Sequence, residues 1–142
     1  MRALLVMMAG TLLPAALSGC MAYNDGGAEP AIPPAPTCPA ETKEWTAFIN
    51  AMPGPDAQPT LIVTGSALVP AGTTATLTAG PTDRAMPPSQ RIVLALASSP
   101  DAAGGWQQVR AEIKPALPQY RSVIVGCDGN AVATITDIQI AQ

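Results

Sequence analysis

Apolar positions along this chain follow two different periods. Between residues 41 and 52, Trp45, Phe48, Ile49 and Met52 fall at i, i+3, i+4 and i+7. That spacing is one face of a 3.6-residue repeat and predicts a short helix. Thr42 can cap its start, and Met52-Pro53-Gly54-Pro55 ends it. From Pro59 onwards the period becomes two. Residues 60–69 read as a strand, Pro70-Ala71-Gly72 as a tight connection, and residues 73–79 as the antiparallel partner of that strand. Residues 80–90 hold Pro81, Pro87 and Pro88 and read as a loop. Residues 91–97 form a third strand with an apolar run suited to a central position. A loop over 98–105 leads to a fourth strand, 106–113, and Pro115 and Pro118 bracket a turn before a fifth, 120–127.

The clearest local feature is the hairpin that follows. Asp128-Gly129 supplies the φ > 0 pair of a two-residue type I′ turn. Pairing Cys127 with Asn130 sets Val125 opposite Val132 and Val123 opposite Thr134 on one face, which is the core face if Cys127 is bridged. The other face receives Ile124 opposite Ala133, Ser122 opposite Ile135 and Tyr120 opposite Asp137. The last pair should meet near the outer surface, within hydrogen-bond reach. About six short strands with frequent turn signals predict a mainly β domain. The expected architecture is an antiparallel immunoglobulin-like β-sandwich with one short N-terminal helix, and a small open β-barrel is the alternative. Nothing in the pattern fixes strand order.

The N-terminus is a different kind of sequence. One cation, Arg2, precedes the uncharged apolar run 3–17. That run is shorter than the ~20 residues a spanning helix needs and fits a secretory signal. Leu17-Ser18-Gly19-Cys20, at its end, resembles the lipobox of bacterial lipoproteins. The resemblance implies diacylglycerol on Cys20, cleavage after Gly19 and attachment to a membrane through the acylated cysteine. The alternative is an ordinary signal peptide cut nearby, with Cys20 an unlipidated thiol. The expected organisation is a signal peptide over 1–19, an acylated cysteine and Pro/Gly-rich tether over 20–37, and one β domain over 38–142. The tether carries Gly26-Gly27 and then Pro30, Pro33, Pro34 and Pro36, and reaches at most ~50 Å at ~3.1 Å per residue.

With Cys20 assigned to lipid, Cys38 and Cys127 are the remaining pair in an oxidising compartment. A disulfide between them would join the two ends of the domain; two buried free thiols are the alternative. The segment from Trp45 to Pro55, the strand Leu61-Ile62-Val63-Thr64-Gly65 and the Cys127-Asp128-Gly129 turn also resemble small proteobacterial lipoproteins. That resemblance carries over no catalytic or binding residue. Met21 in place of Asp after the acylated cysteine implies the periplasmic face of the outer membrane in a Gram-negative source.

Charge and chemistry narrow the function. Seven cations face ten carboxylates, for a formal charge of −3. Without Arg2 the balance falls to six against ten, or −4, which disfavours nucleic acid as a partner. The chain has no histidine, which removes Ser-His and Cys-His nucleophile pairs and most zinc sites. None of Ser66, Ser89, Ser98, Ser99 and Ser122 has a lysine three residues on. Asp128-Gly129-Asn130 lacks the flanking ligands of a calcium loop, and no cofactor or metal is expected. Asp128 and Asp137 lie at opposite ends of one hairpin, and Glu112 cannot be placed against either. Trp106, after Gly104-Gly105, is the residue best suited to stack a sugar or anchor a peptide. The expected function is therefore a non-enzymatic, lipid-anchored recognition or assembly module that binds an envelope protein or peptide. The alternatives are an envelope enzyme inhibitor acting through the loop 80–90, or a carboxylate hydrolase of unrecognised type.

Overall fold

The computed structural model describes residues 36–142. Eight strands follow one another: β1 (Glu41–Asn50), β2 (Thr60–Val69), β3 (Thr73–Thr82), β4 (Ser89–Ser98), β5 (Gly105–Ile113), β6 (Ser122–Cys127), β7 (Asn130–Ile135) and β8 (Ile138–Ala141). They form two four-stranded sheets, ordered β5-β2-β1-β8 and β3-β4-β6-β7. Buried side chains from both sheets share one core, centred on Ile49, Leu61, Val63, Ile92, Leu94, Val123 and Val125. The arrangement is sandwich-like and is not a closed barrel.

The expected helix over 41–52 is a strand, and no helix is present among the described residues. The same residues carry a second period: Trp45, Ala47, Ile49 and Ala51 alternate, with Ala47 and Ile49 buried and Trp45 and Ala51 packed against the core. Phe48 falls on the opposite face, and Met52 lies beyond the strand, 58% exposed. A lone helix of three turns is marginal in water. As a strand the segment instead gains backbone ladders on both sides, antiparallel to β2 and, over residues 47–50, parallel to β8. Its aromatic and β-branched residues suit that pleated surface. A β-bulge interrupts the β1–β2 register between Lys43 and Thr46, with Glu44 at φ 57°. The extra residue turns Glu44 outward and sends the indole of Trp45 inward.

Contrary to the expected hairpin, β2 and β3 are not partners. β2 lies between β1 and β5, whereas β3 pairs with β4 in the other sheet. Pro70-Ala71-Gly72 carries the chain across the core from one sheet to the other. The Thr73 hydroxyl donates to the Pro70 carbonyl (2.7 Å), and the Gly72 N–H to that of Ala102 (2.8 Å). Turn residues of this kind serve an arch as well as a hairpin, so the local sequence does not distinguish them.

Neither sheet is antiparallel throughout, because β1–β8 and β4–β6 are parallel pairs. The expected loop 80–90 is shorter than its prolines suggested: β3 runs to Thr82 and β4 begins at Ser89. A register shift between Ala79 and Thr82 accommodates this. The buried amide of Gln90 fills the gap, donating to the carbonyls of Gly80 and Arg91 and accepting from the Thr82 hydroxyl, all at 2.8 Å.

The β6–β7 hairpin has the expected turn, with Asp128 at φ 49° and Gly129 at φ 80°, and the expected pair Cys127–Asn130. Val123, Val125 and Cys127 face the core. Beyond the turn a bulge between Val125 and Gly126 shifts the pairing by one. Val125 therefore faces Ala133 and Val123 faces Ile135, while the extra residue Val132 is left 38% exposed. Tyr120 precedes the strand and is buried. Its hydroxyl accepts from the Leu117 N–H (2.9 Å) and makes no hydrogen bond to Asp137, whose carboxylate accepts from the Gln139 amide.

Cys38, just before β1, and Cys127, at the end of β6, stand 5.8 Å apart at Cα with their sulfurs in disulfide-compatible positions. A bridge there links the two sheets and closes a loop of 89 positions. Replacing Cys38 by Ala should lower stability by about 2–5 kcal/mol, read as a fall in the urea midpoint under non-reducing conditions. A second prediction concerns Gly65, where a Cβ would run into the indole ring of Trp45. Gly65→Ala should cost about 1–3 kcal/mol, with an unchanged urea m-value marking an effect on the folded state alone.

Candidate functional site

The outer face of the first sheet carries a groove that follows from side-chain length. On the central strand β2 the outward residues Thr64 and Ser66 are short. The flanking strands carry long polar side chains, Glu44 on β1 and Gln108 and Arg110 on β5. Register sets Ser66 opposite both Lys43 and Gln108, and Thr64 opposite both Thr46 and Arg110. The result is a depression of about 390 Å³ lined by Glu44, Thr64, Gly65, Ser66, Gln108, Val109 and Arg110. Its volume lies in the range of small-molecule sites.

Hydrogen bonds fix part of this lining. The Ser66 hydroxyl donates to Glu44 Oε2 (3.2 Å), and the Thr46 and Thr64 hydroxyls meet at 2.8 Å. Arg110 places Nε and Nη2 on Glu112 Oε1 at 3.0 and 2.7 Å, and Lys114 Nζ stands 3.3 Å from Glu112 Oε2. The Arg110 hydrogen bond first, and Lys114 second, hold the Glu112 carboxyl below the usual carboxylate range. Glu112 is thereby a fixed counter-ion and a poor proton donor near neutral pH.

Trp106 stands one pleat along β5 from Gln108, on the same face and opposite Leu68. It is 47% exposed, and Lys43 Nζ lies 4.2 Å from its ring centroid. Gly104 places it there. At φ 78°, with a would-be Cβ pressed against the backbone of Pro70 and Ala71, Gly104 lets the loop close tightly on the β2–β3 connection before β5 begins.

The other residues singled out from the sequence fall elsewhere. Asp128 is exposed in its turn at one end of β7, and Asp137 follows the other end. Glu112 belongs to the opposite sheet, so these carboxylates do not converge. Tyr120 and Asp137 do line one cleft of about 450 Å³, with Ile49, Pro118, Ile138 and Ile140, but no hydrogen bond joins them; the tyrosine oxygen accepts from Leu117 and the carboxylate from Gln139. Among the described residues no group of three or more Cys, Asp or Glu side chains is arranged to hold a metal. Cys20 and most of the tether lie outside the described residues.

Lys43, Glu44, Gln108 and Arg110 were not singled out from the sequence, and Ser66 was weighed only as a nucleophile. Part of the signal was present, since Trp106, Gln108 and Arg110 alternate along one strand. The rest required β1 to be a strand and β2 to lie between β1 and β5. No protein-family model, curated protein or solved structure matches this chain.

The turn 83–88 yields a pH prediction. Asp83 Oδ1 accepts the N–H groups of Ser89 (2.8 Å) and Ala85 (3.1 Å). The Ser89 bond is the main cause that lowers its pKa below the ordinary value. A carboxylate depressed on folding stabilises the fold above its unfolded pKa, and that contribution is lost as pH falls through the lowered folded value. Carboxyl-carbon NMR should show Asp83 titrating below a free aspartate. Asp83→Asn should remove that acid-limb contribution from the stability profile.

Proposed function

We propose that this chain is a lipid-anchored binding module of the bacterial cell envelope, tethered through Cys20 and presenting the outer face of β1, β2 and β5 to its ligand. The observation that carries this reading is Trp106: a half-exposed tryptophan on strand β5, one pleat along from Gln108, which lines the polar groove. Exposed aromatic side chains of this kind dominate the energetics of recognition surfaces. A binding role is further supported by the dispersal of Asp128, Asp137 and Glu112, since carboxylate hydrolysis needs two acids facing one bond. The membrane address rests on the lipobox residues Leu17-Ser18-Gly19-Cys20. The sheet-bridging position of Cys38 and Cys127 is in keeping with an extracytoplasmic compartment.

The sandwich is immunoglobulin-like in kind under this reading. In its favour stand the bridge between the sheets and the Tyr120 hydroxyl bonded to the backbone three residues upstream, in the manner of a tyrosine corner. The parallel β4–β6 pair departs from the usual pattern of such domains.

The test has two arms. Cys20→Ala should abolish metabolic palmitate labelling and release the protein from the membrane fraction; equal label on both proteins refutes the anchor. In capture of fragmented envelope material, Trp106→Ala should lose at least tenfold in affinity, about 1.4 kcal/mol, while the Asp128→Asn, Asp137→Asn double variant binds as wild type. The reverse pattern would return the carboxylate enzyme.

A further inference from the structure

We propose that the groove beside Trp106 binds a neutral oligosaccharide, with the indole as the stacking platform and Glu44, Gln108 and Arg110 as the hydroxyl-reading groups. The inference rests on the reading of this face as the binding surface and names the class of ligand it takes.

Four observations converge on a sugar. The first is shape: the groove is shallow and bounded by side chains rather than closed by loops. Such a surface receives a flat, extended ligand better than a compact one buried on all sides. The second is the polar inventory. Glu44 spends Oε2 on Ser66, leaving Oε1 to accept, and Arg110 spends Nε and Nη2 on Glu112, leaving Nη1 to donate. The Gln108 amide has no side-chain partner among the described residues and offers both functions. Planar side chains that combine a donor with an acceptor match the neighbouring hydroxyls of a pyranose ring, each of which gives and takes a hydrogen bond.

The third observation is charge. The groove lining carries one carboxylate, Glu44, and one guanidinium, Arg110, the latter paired with Glu112, so its formal charges balance and select neither a strong anion nor a strong cation. An apolar peptide would have to leave the hydroxyls, the carboxylate and the amide unpaired, which burial penalises. The fourth is the occupied ring face of Trp106. Lys43 Nζ lies over it at 4.2 Å, attracted by the negative face of the indole. The axial C–H groups of a pyranose carry the same sign of partial charge and take the same place. Lys43 is therefore a stand-in that the ligand displaces, and its ammonium is then free to donate to a ring hydroxyl.

The experiment uses the full-length protein in a detergent without a sugar headgroup. Linear hexasaccharides of three kinds, cello-, malto- and chito-oligosaccharides, serve as probes. Trp45, the other tryptophan, packs beneath Gly65 on the core side, so a ligand-dependent change in tryptophan emission is assigned to Trp106 by its loss in Trp106→Ala. At least one probe should give a saturable blue shift with a dissociation constant in the millimolar range or tighter. Trp106→Ala should abolish the shift, and isothermal titration should show affinity weakened at least tenfold. Trp106→Phe should retain most of the affinity, and Gln108→Ala should lose several-fold. Urea midpoints near wild type for each variant separate binding from folding.

The proposal is overturned if no probe saturates, or if Trp106→Ala and Gln108→Ala bind as wild type. Capture of envelope fragments distinguishes the two levels of the argument. Trp106-dependent capture that protease treatment of the fragments destroys identifies a protein ligand and refutes the sugar while sparing the binding surface. Capture indifferent to Trp106→Ala refutes both.

Discussion

Strand β1 is the piece on which both ends of the domain depend. It is the first strand of the described chain, yet it sits inside its sheet, with β2 on one side and β8 on the other. Backbone groups buried on both sides must be paired, so the last strand has to return to the first. The disulfide-compatible placing of Cys38 and Cys127 has the same sense, since it sets the start of β1 against the end of β6 in the facing sheet. The candidate site inherits this arrangement. Glu44 reaches the groove because the bulge there turns its side chain out while Trp45 fills the space beneath Gly65. The same ring leaves a cost, since its indole N–H is buried without a partner. The close packing of Trp45 over Gly65 has to outweigh it.

The two outer faces of the molecule are unlike. The first sheet displays Lys43, Glu44, Arg110 and Glu112 with Trp106, whereas the second displays Thr76, Thr78, Ala95 and Val93, with Arg91 beside them. In a chain with only 12% charged residues, concentrating charge and the exposed aromatic on one sheet makes that sheet the chemically informative surface. The interior polar groups have different work. Gln90, and Ser122 bonded to Ser89 at 3.0 Å, hold the start of β4 against β3 and β6.

Much of the strand pattern was legible because alternation and turn residues are local signals. The span of β2 and the Asp128-Gly129 turn could be read directly. β1 was misread because Trp45, Phe48 and Ile49 satisfy a helical period, while the competing alternation relies on Ala47 and Ala51, which contribute little hydrophobicity to either pattern. Partner choice was illegible for a different reason. Pro70-Ala71-Gly72 can close a hairpin or cross the core, and the decision lies with the flanking of β2 by β1 and β5. The one-residue shift at Val125 and Gly126 was likewise set by packing of Ile135 against the core, beyond the reach of turn rules. At the site, Trp106 was visible as a residue; its groove was not, because the groove is a property of three adjacent strands.

The parallel β1–β8 pair also bears on how the domain is made. Its partners lie nearly the whole length of the domain apart, and the β4–β6 pair must likewise wait for a long crossover. Pairings of this kind form slowly, because loop closure has to be endured before any ladder rewards it. A chain delivered from its N-terminus exposes the unpaired edge of β1 until β8 has arrived. During that interval β1, rich in Trp45, Phe48 and Ile49, is an open template for pairing with other chains. The hazard ends only when the last strand to be made, β8, closes that edge, so the domain is safe from such pairing no earlier than its final residues allow.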